Sequence, residues 1–164
     1  MTFYLRGLII FGFFILVSTP TFAANHPEKD TELLTPTFPL GLQSIDKSAA
    51  YQDFLRHPIS ERSKMLYLIE RFKDANAEID YGGHYYKPHD IASFVQMFIA
   101  THFDQSETAE RWINEYGNRS IPAGDPIWIC SNGRFYRSKD ILIQELNGLD
   151  KVLSKNIQSN SAQH

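Results

Sequence analysis

Two short glycine dipeptides constrain this chain more than any other feature. Asn132-Gly133 stands between Ile127–Cys130 and Arg134–Tyr136, and Gly82-Gly83 interrupts the β-favouring run Ile79–Tyr86. A two-residue hairpin turn needs positive φ at both central residues, because only that turn matches the right-handed twist of the flanking strands. Asn-Gly and Gly-Gly meet this requirement at low cost. Both segments therefore predict tight antiparallel hairpins. A lone hairpin is marginal in water, so the two are expected to share one small sheet covered by helices.

The intervening segments read as helices. Ser60 can cap one whose apolar residues Met65, Leu68, Ile69 and Phe72 recur at i, i+3, i+4 and i+7. Pro88, lacking an N–H that a first helical position does not need, opens a second with a stripe of Ile91, Phe94, Val95, Phe98 and Ile99, stopping near His102. A third follows Ser106, with Glu107 at its positive end, Ala109, Trp112, Ile113 and Tyr116 on one face, and Gly117 as its stop. Pro122, Gly124 and Pro126 make residues 118–126 an irregular loop. Ser138 caps the last helix, with Asp140 in its first turn and Leu142, Leu146, Leu149 and Leu153 along one side. The fold class is α+β: about four helices packed on a small antiparallel sheet made of two β-hairpins, in a domain over residues 58–153.

The flanking segments read differently. Arg6 precedes a run of eleven residues, Gly7 to Val17, that are apolar or glycine. That fits the roughly 7–15 of a signal-peptide core and falls short of the ~20 that span a bilayer. Pro20 breaks the run, and Thr21-Phe22-Ala23 offers small residues at the positions a signal peptidase reads. The expectation is a signal peptide over 1–23, cut after Ala23 with Ala24 as second choice. It leads to a periplasmic or secreted protein with no stable membrane anchor after cleavage. Residues 24–57, with Pro27, Pro36 and Pro39 and no sustained period, are expected to be a partly disordered linker. It docks loosely through Phe38, Leu40 and Leu42, with a short helical turn at Tyr51–Leu55. Ser154–His164 reads as a frayed polar tail.

Composition narrows function by exclusion. With 43% apolar residues the chain is not a disordered polymer, and a single cysteine forbids an intramolecular disulfide. Sixteen basic against nineteen acidic side chains, net −3, give no cationic stripe for nucleic acid or anionic lipid. There is no P-loop, G-x-S-x-G, H-E-x-x-H or C-x-x-C, and no cofactor is implied. Cys130 is either a small buried residue on the strand with Trp128, a cross-link between two chains, or a nucleophile beside His84, His89 or His102 in a small hydrolase or transferase. His84 and His89, near Asp80 and Asp90, match no tight metal-ligand spacing.

The aromatic residues Tyr81, Tyr85, Tyr86, Trp128, Phe135 and Tyr136 all lie on the hairpins, and strand alternation divides them between two faces. An exposed subset would stack on a sugar ring or on a partner's apolar side chains, whereas a covered one packs across the strands. Asn118-Arg119-Ser120 matches a glycosylation acceptor, relevant only in a eukaryotic secretory route. The candidate binding set is Tyr81, Gly82, Gly83, Tyr85, Tyr86, Ser120, Gly124, Trp128 and Tyr136, and its expected partner is an envelope protein or a glycan.

The hairpin order and the loop Ser120-Ile-Pro-Ala-Gly124-Asp-Pro126-Ile127 resemble the YfeK-like family of small exported bacterial proteins, a domain of unknown function. Gly82-Gly83-His84-Tyr85-Tyr86 stands where that family has an N-G-x-x-Y turn, with Gly82 in place of Asn. Ser120, Gly124 and Pro126 match its S-x-x-S-G-x-P-Y, while Ala123 replaces a serine and Ile127 a tyrosine. Ser93 stands where a helix histidine is often found, and Ala77 near a cysteine, which leaves Cys130 without the partner that two-cysteine relatives have. The resemblance covers roughly Ser60 to Val152. It implies a bacterial, exported α+β protein and no particular activity, so the function expected is that of a non-catalytic binding module.

Overall fold

The turns set the sheet. Gly82 and Gly83 have φ of 62° and 81°, and Asn132 and Gly133 have 51° and 74°, so both dipeptides occupy the left-handed region that a two-residue hairpin demands. In the computed structural model, which describes residues 40–121 and 123–161, these turns join β1 (Glu78–Tyr81) to β2 (His84–Tyr86) and β3 (Trp128–Ser131) to β4 (Arg134–Arg137). The strands form one antiparallel sheet in the order β2-β1-β3-β4. Its register aligns Tyr86, Ile79, Ile129 and Tyr136 in one row and Tyr85, Asp80, Trp128 and Arg137 in the next. Because strand side chains alternate, the two rows face opposite ways. Ile129 is buried in the core, and Ile79 and Tyr136 pack against it, so the first row is the covered face.

Five α-helices complete the domain: α1 (Ala49–Phe54), α2 (Glu61–Lys73), α3 (Pro88–His102), α4 (Ala109–Tyr116) and α5 (Ser138–Ser161). The expected α+β architecture is present, with four longer helices and the short α1. Ser60 caps α2 in a reciprocal box: its hydroxyl accepts from Ser63 N at 3.1 Å while the Ser63 hydroxyl accepts from Ser60 N at 2.8 Å. Pro88 occupies the first turn of α3. The start of α4 differs from the sequence reading. Asp104 accepts both the N–H and the hydroxyl of Ser106 at 2.7 Å, which uses Ser106 in a turn, and Thr108 supplies the cap instead.

Residues 40–57 correct the linker reading in part: Leu40 and Leu42 dock and the short helical turn expected at Tyr51–Leu55 is α1, but the segment is an integral part of the core. Leu40, Ile45, Tyr51 and Phe54 are buried in the same core as α2, α4 and α5. A 3-10 turn over Ile45–Lys47 precedes α1, and Ser48 caps α1. The segment holds because α5 makes room for it: a Cβ on Gly148 would lie 2.7 Å from Ile45 Cδ1. The domain therefore begins at least at Leu40. The tail is corrected as well, since α5 continues to Ser161. The signal-peptide and cleavage readings fall on residues 1–23, outside the described residues.

The stripe read for α3 is only half right. Ile99 and Ala92 are buried, Val95 and Phe98 partly so, but Phe94 is 62% exposed and Met97 is exposed beside it. Phe98 instead turns toward α4, meeting Trp112 and Tyr116 edge-on at 5.9 and 5.5 Å.

Candidate functional site

The candidate aromatic set divides when folded. β2 is an edge strand, and His84, Tyr85 and Tyr86 are all exposed, Tyr85 to 54% and Tyr86 to 39%. Tyr81 lies next to them on β1, and its hydroxyl accepts a hydrogen bond from Ile121 N at 3.0 Å. That bond carries the 117–126 loop to the first hairpin and leaves the Ile121 side chain 66% exposed nearby. Ser120 is buried under Gly82, its Oγ 3.8 Å from where a Gly82 Cβ would stand.

The loop is more ordered than its proline content implies. Ser120 N donates to Asp125 O and Gly124 N to Ser120 O, both at 2.8 Å, and Arg119 pairs with Pro126 in an isolated bridge. Gly124, with φ of 69°, makes the reversal and is exposed. Ile127 N then donates to Asn118 O at 3.1 Å, closing the loop at its base.

Trp128 and Tyr136 are not part of this exposed group. Trp128 is 8% exposed, with the Arg137 guanidinium carbon 4.3 Å above its ring, a cation–π contact on the sheet's second face. Tyr136 packs against the core. In the same row Asp80 is buried and accepts from Gly83 N at 3.1 Å, which fixes the first turn from below. The structure thus brings Tyr81, Gly82, Gly83, Ser120 and Gly124 to the end of the first hairpin, sets Tyr86 on the Tyr81 face of that hairpin and Tyr85 on the opposite face, and places Trp128 and Tyr136 within the packed sheet.

A second concave feature lies at the other end of β1. A cleft of about 530 Å³ is walled by the end of α2 and its exit (73–78), the start of α3 (87–89) and the β3–β4 turn (130–133). Cys130 is half-buried in its wall, and His89 lies on its rim with Nδ1 4.0 Å from Asp74 Oδ1. Of the three histidines considered as partners for the thiol, only His89 lines this cleft. His84 sits at the first turn, on the opposite face of the sheet from Cys130. His102 ends α3 and stacks on Phe98 with ring centroids 4.2 Å apart. Among the described residues, no group of three or more His, Cys, Asp or Glu side chains could hold a metal ion. No described helix is long and apolar enough to cross a membrane.

Sequence reasoning missed two charged groups. Lys73, Asp74, Glu78 and Lys87 line the cleft with the cysteine, but they come from separate segments and form no local motif. Glu145, in the leucine stripe of α5, is 0% exposed. Its Oε1 accepts from Tyr67 Oη at 2.5 Å and Arg71 Nε at 2.8 Å, and Arg71 also donates to Gln43 O. Burial, reinforced by the bond to Glu145, holds the Tyr67 phenol far above the usual tyrosine range. A carboxylate at a core-facing helical position was the available signal. It is structural, because the cluster ties α2, α5 and the segment before α1 together.

No family model, no curated protein and no solved structure matches the chain.

Proposed function

We propose that this protein is an exported, non-catalytic interaction module that binds an envelope protein or a glycan at the corner formed by β2 and the 117–126 loop. One observation carries the reading: Tyr85 and Tyr86 are exposed, one on each face of an edge strand, in the hairpin whose Tyr81 holds the loop carrying the exposed Ile121. Tyrosine joins a large contact area to a hydrogen-bonding tip at small entropic cost, which suits both a sugar ring and a protein surface. The Tyr81–Ile121 hydrogen bond supports the reading further, because it joins the loop to the hairpin so that the corner need not be assembled on binding. The export half rests on the apolar run near the start of the sequence and on the turn residues shared with the YfeK-like family.

The test is a photoreactive phenylalanine analogue at Tyr85, in cells, with the same analogue at Phe94 as a control. A crosslinked species specific to position 85, lost on Tyr86→Ala with the circular dichroism spectrum unchanged, is the expected result. Equal crosslinking at both positions ends the binding reading. Finding only full-length chain, uncut after Ala23, in the cytoplasmic fraction ends the export reading.

A second reading is favoured by the shared position of Cys130 and His89 in one cleft, with Asp74 next to the imidazole. It is a thiol-dependent hydrolase or transferase in which His89 activates Cys130. If native Cys130 resists an alkylating reagent that labels it after denaturation, this reading fails.

A further inference from the structure

The cleft at Cys130 carries charges of both signs. Lys87 and Glu78 face it from neighbouring strand ends: Tyr86 pairs with Ile79, so Lys87 continues β2 past the ladder on the Glu78 side. The side chains of Lys87 and Glu78 are exposed, and among the described residues neither side chain has a hydrogen-bonding or ionic partner. Lys73 Nζ lies 3.4 Å from Glu70 Oε2, while Asp74 stands exposed at the rim, its carboxylate 4.0 Å from the His89 ring and beyond hydrogen-bond reach. Glu78 is also the cross-strand partner of Cys130, so carboxylate and thiol stand side by side.

A site for an anion alone gains nothing from an unpaired carboxylate in its wall, and a site for a cation alone gains nothing from an unpaired ammonium. A volume of about 530 Å³ exceeds what a single ion needs and lies within the range of small-molecule clefts. We propose that this cleft binds a small zwitterion, a free α-amino acid or a short peptide. Its carboxylate meets Lys87, its ammonium meets Glu78, and its body lies along the wall of Cys130 and Asn132. The site is separate from the aromatic corner and holds whether or not Cys130 reacts.

Cys130 supplies the readout, because an occupied cleft shields it. The full chain is alkylated with iodoacetamide and followed by mass spectrometry, alone and with glycine, glycylglycine or triglycine. Acetate and methylammonium serve as single-charge controls at equal concentration. At four times the dissociation constant, a bound zwitterion slows labelling about fivefold. The peptide length that protects best separates the amino-acid source from the peptide one. Lys87→Ala and Glu78→Ala should each abolish protection, read as the ratio of each variant's labelling rate with the zwitterion to its own rate without it, because removing a charge near the thiol also changes its intrinsic reactivity. If acetate or methylammonium protects as well as the zwitterions, or if none of them protects, the proposal is overturned. Should native Cys130 label too slowly to follow, amide NMR shifts of Asn132 and Gly133 replace it. Their failure to move with any zwitterion is equally decisive against it.

Discussion

Replacing Arg71 with methionine removes the cation that neutralises Glu145 in the core. Glu145 is fully buried, its Oε1 held by Arg71 at 2.8 Å and Tyr67 at 2.5 Å, while its Oε2 has no hydrogen-bond partner. The substitution keeps a similar side-chain volume but leaves a buried carboxylate with one neutral donor. Breaking a buried ion pair from one side costs about 3–5 kcal/mol. The Gln43 carbonyl also loses its Arg71 donor, adding about 1 kcal/mol. Against a total stability of about 5–15 kcal/mol, R71M should retain a fold but lose a large share of its margin. Urea unfolding followed by circular dichroism and by tryptophan fluorescence should show the midpoint falling by about 2–3 M, for a slope of about 2 kcal/mol/M. Restoring an apolar core with Arg71→Met and Glu145→Leu together should recover most of the loss, because no buried charge then remains. A loss below about 1 kcal/mol for R71M, or a double variant less stable than R71M, would refute the electrostatic account.

Further outcomes follow from the same geometry. Burial alone would raise the Glu61 carboxyl, but hydrogen bonds from Lys64 and from Ala109 N outweigh it and hold its pKa below the usual value. Its contribution is therefore present above the unfolded-state pKa and is lost as pH falls through the lower folded-state value. Thermal melts between pH 6 and pH 3 should show a shallower decline for Glu61→Gln than for the natural chain, and parallel declines would contradict this. Gly117→Ala should cost about 1–3 kcal/mol by overpacking. The added Cβ would lie 2.8 Å from Ile113 O, in the backbone of α4 itself, and 3.3 Å from Leu142 Cδ1 of α5, and an unchanged melting temperature would contradict the predicted overpacking.

Local chemistry made much of the fold legible. Asn132-Gly133 and Gly82-Gly83 specify hairpins because few other residues tolerate two successive positive φ angles, and no distant contact is needed to decide this. Ser60 and Pro88 mark helix starts for equally local reasons, through a hydroxyl acceptor and a missing N–H. Helix faces were harder. Phe94 fits the apolar period of α3, yet period alone does not say which side a neighbour covers, and α2, with α4 at Phe98, covers the other side. At the candidate corner, alternation divided the hairpin aromatics into two sets. It could not tell that Trp128 would be covered by Arg137.

What the amino-acid order settled unaided was whatever depends on a few neighbouring residues: the type of both hairpin turns and the starts of α2 and α3. Only the tertiary structure decided the rest. Residues 40–57 lack a period and look like a linker, but Gly148 leaves a recess for Ile45, and Arg71 reaches Gln43, so the segment belongs to the core. The cleft joins three segments, none of which is distinctive by itself. Both depend on contacts between residues far apart in the chain, whose closure entropy is offset only once the rest of the domain has formed around them.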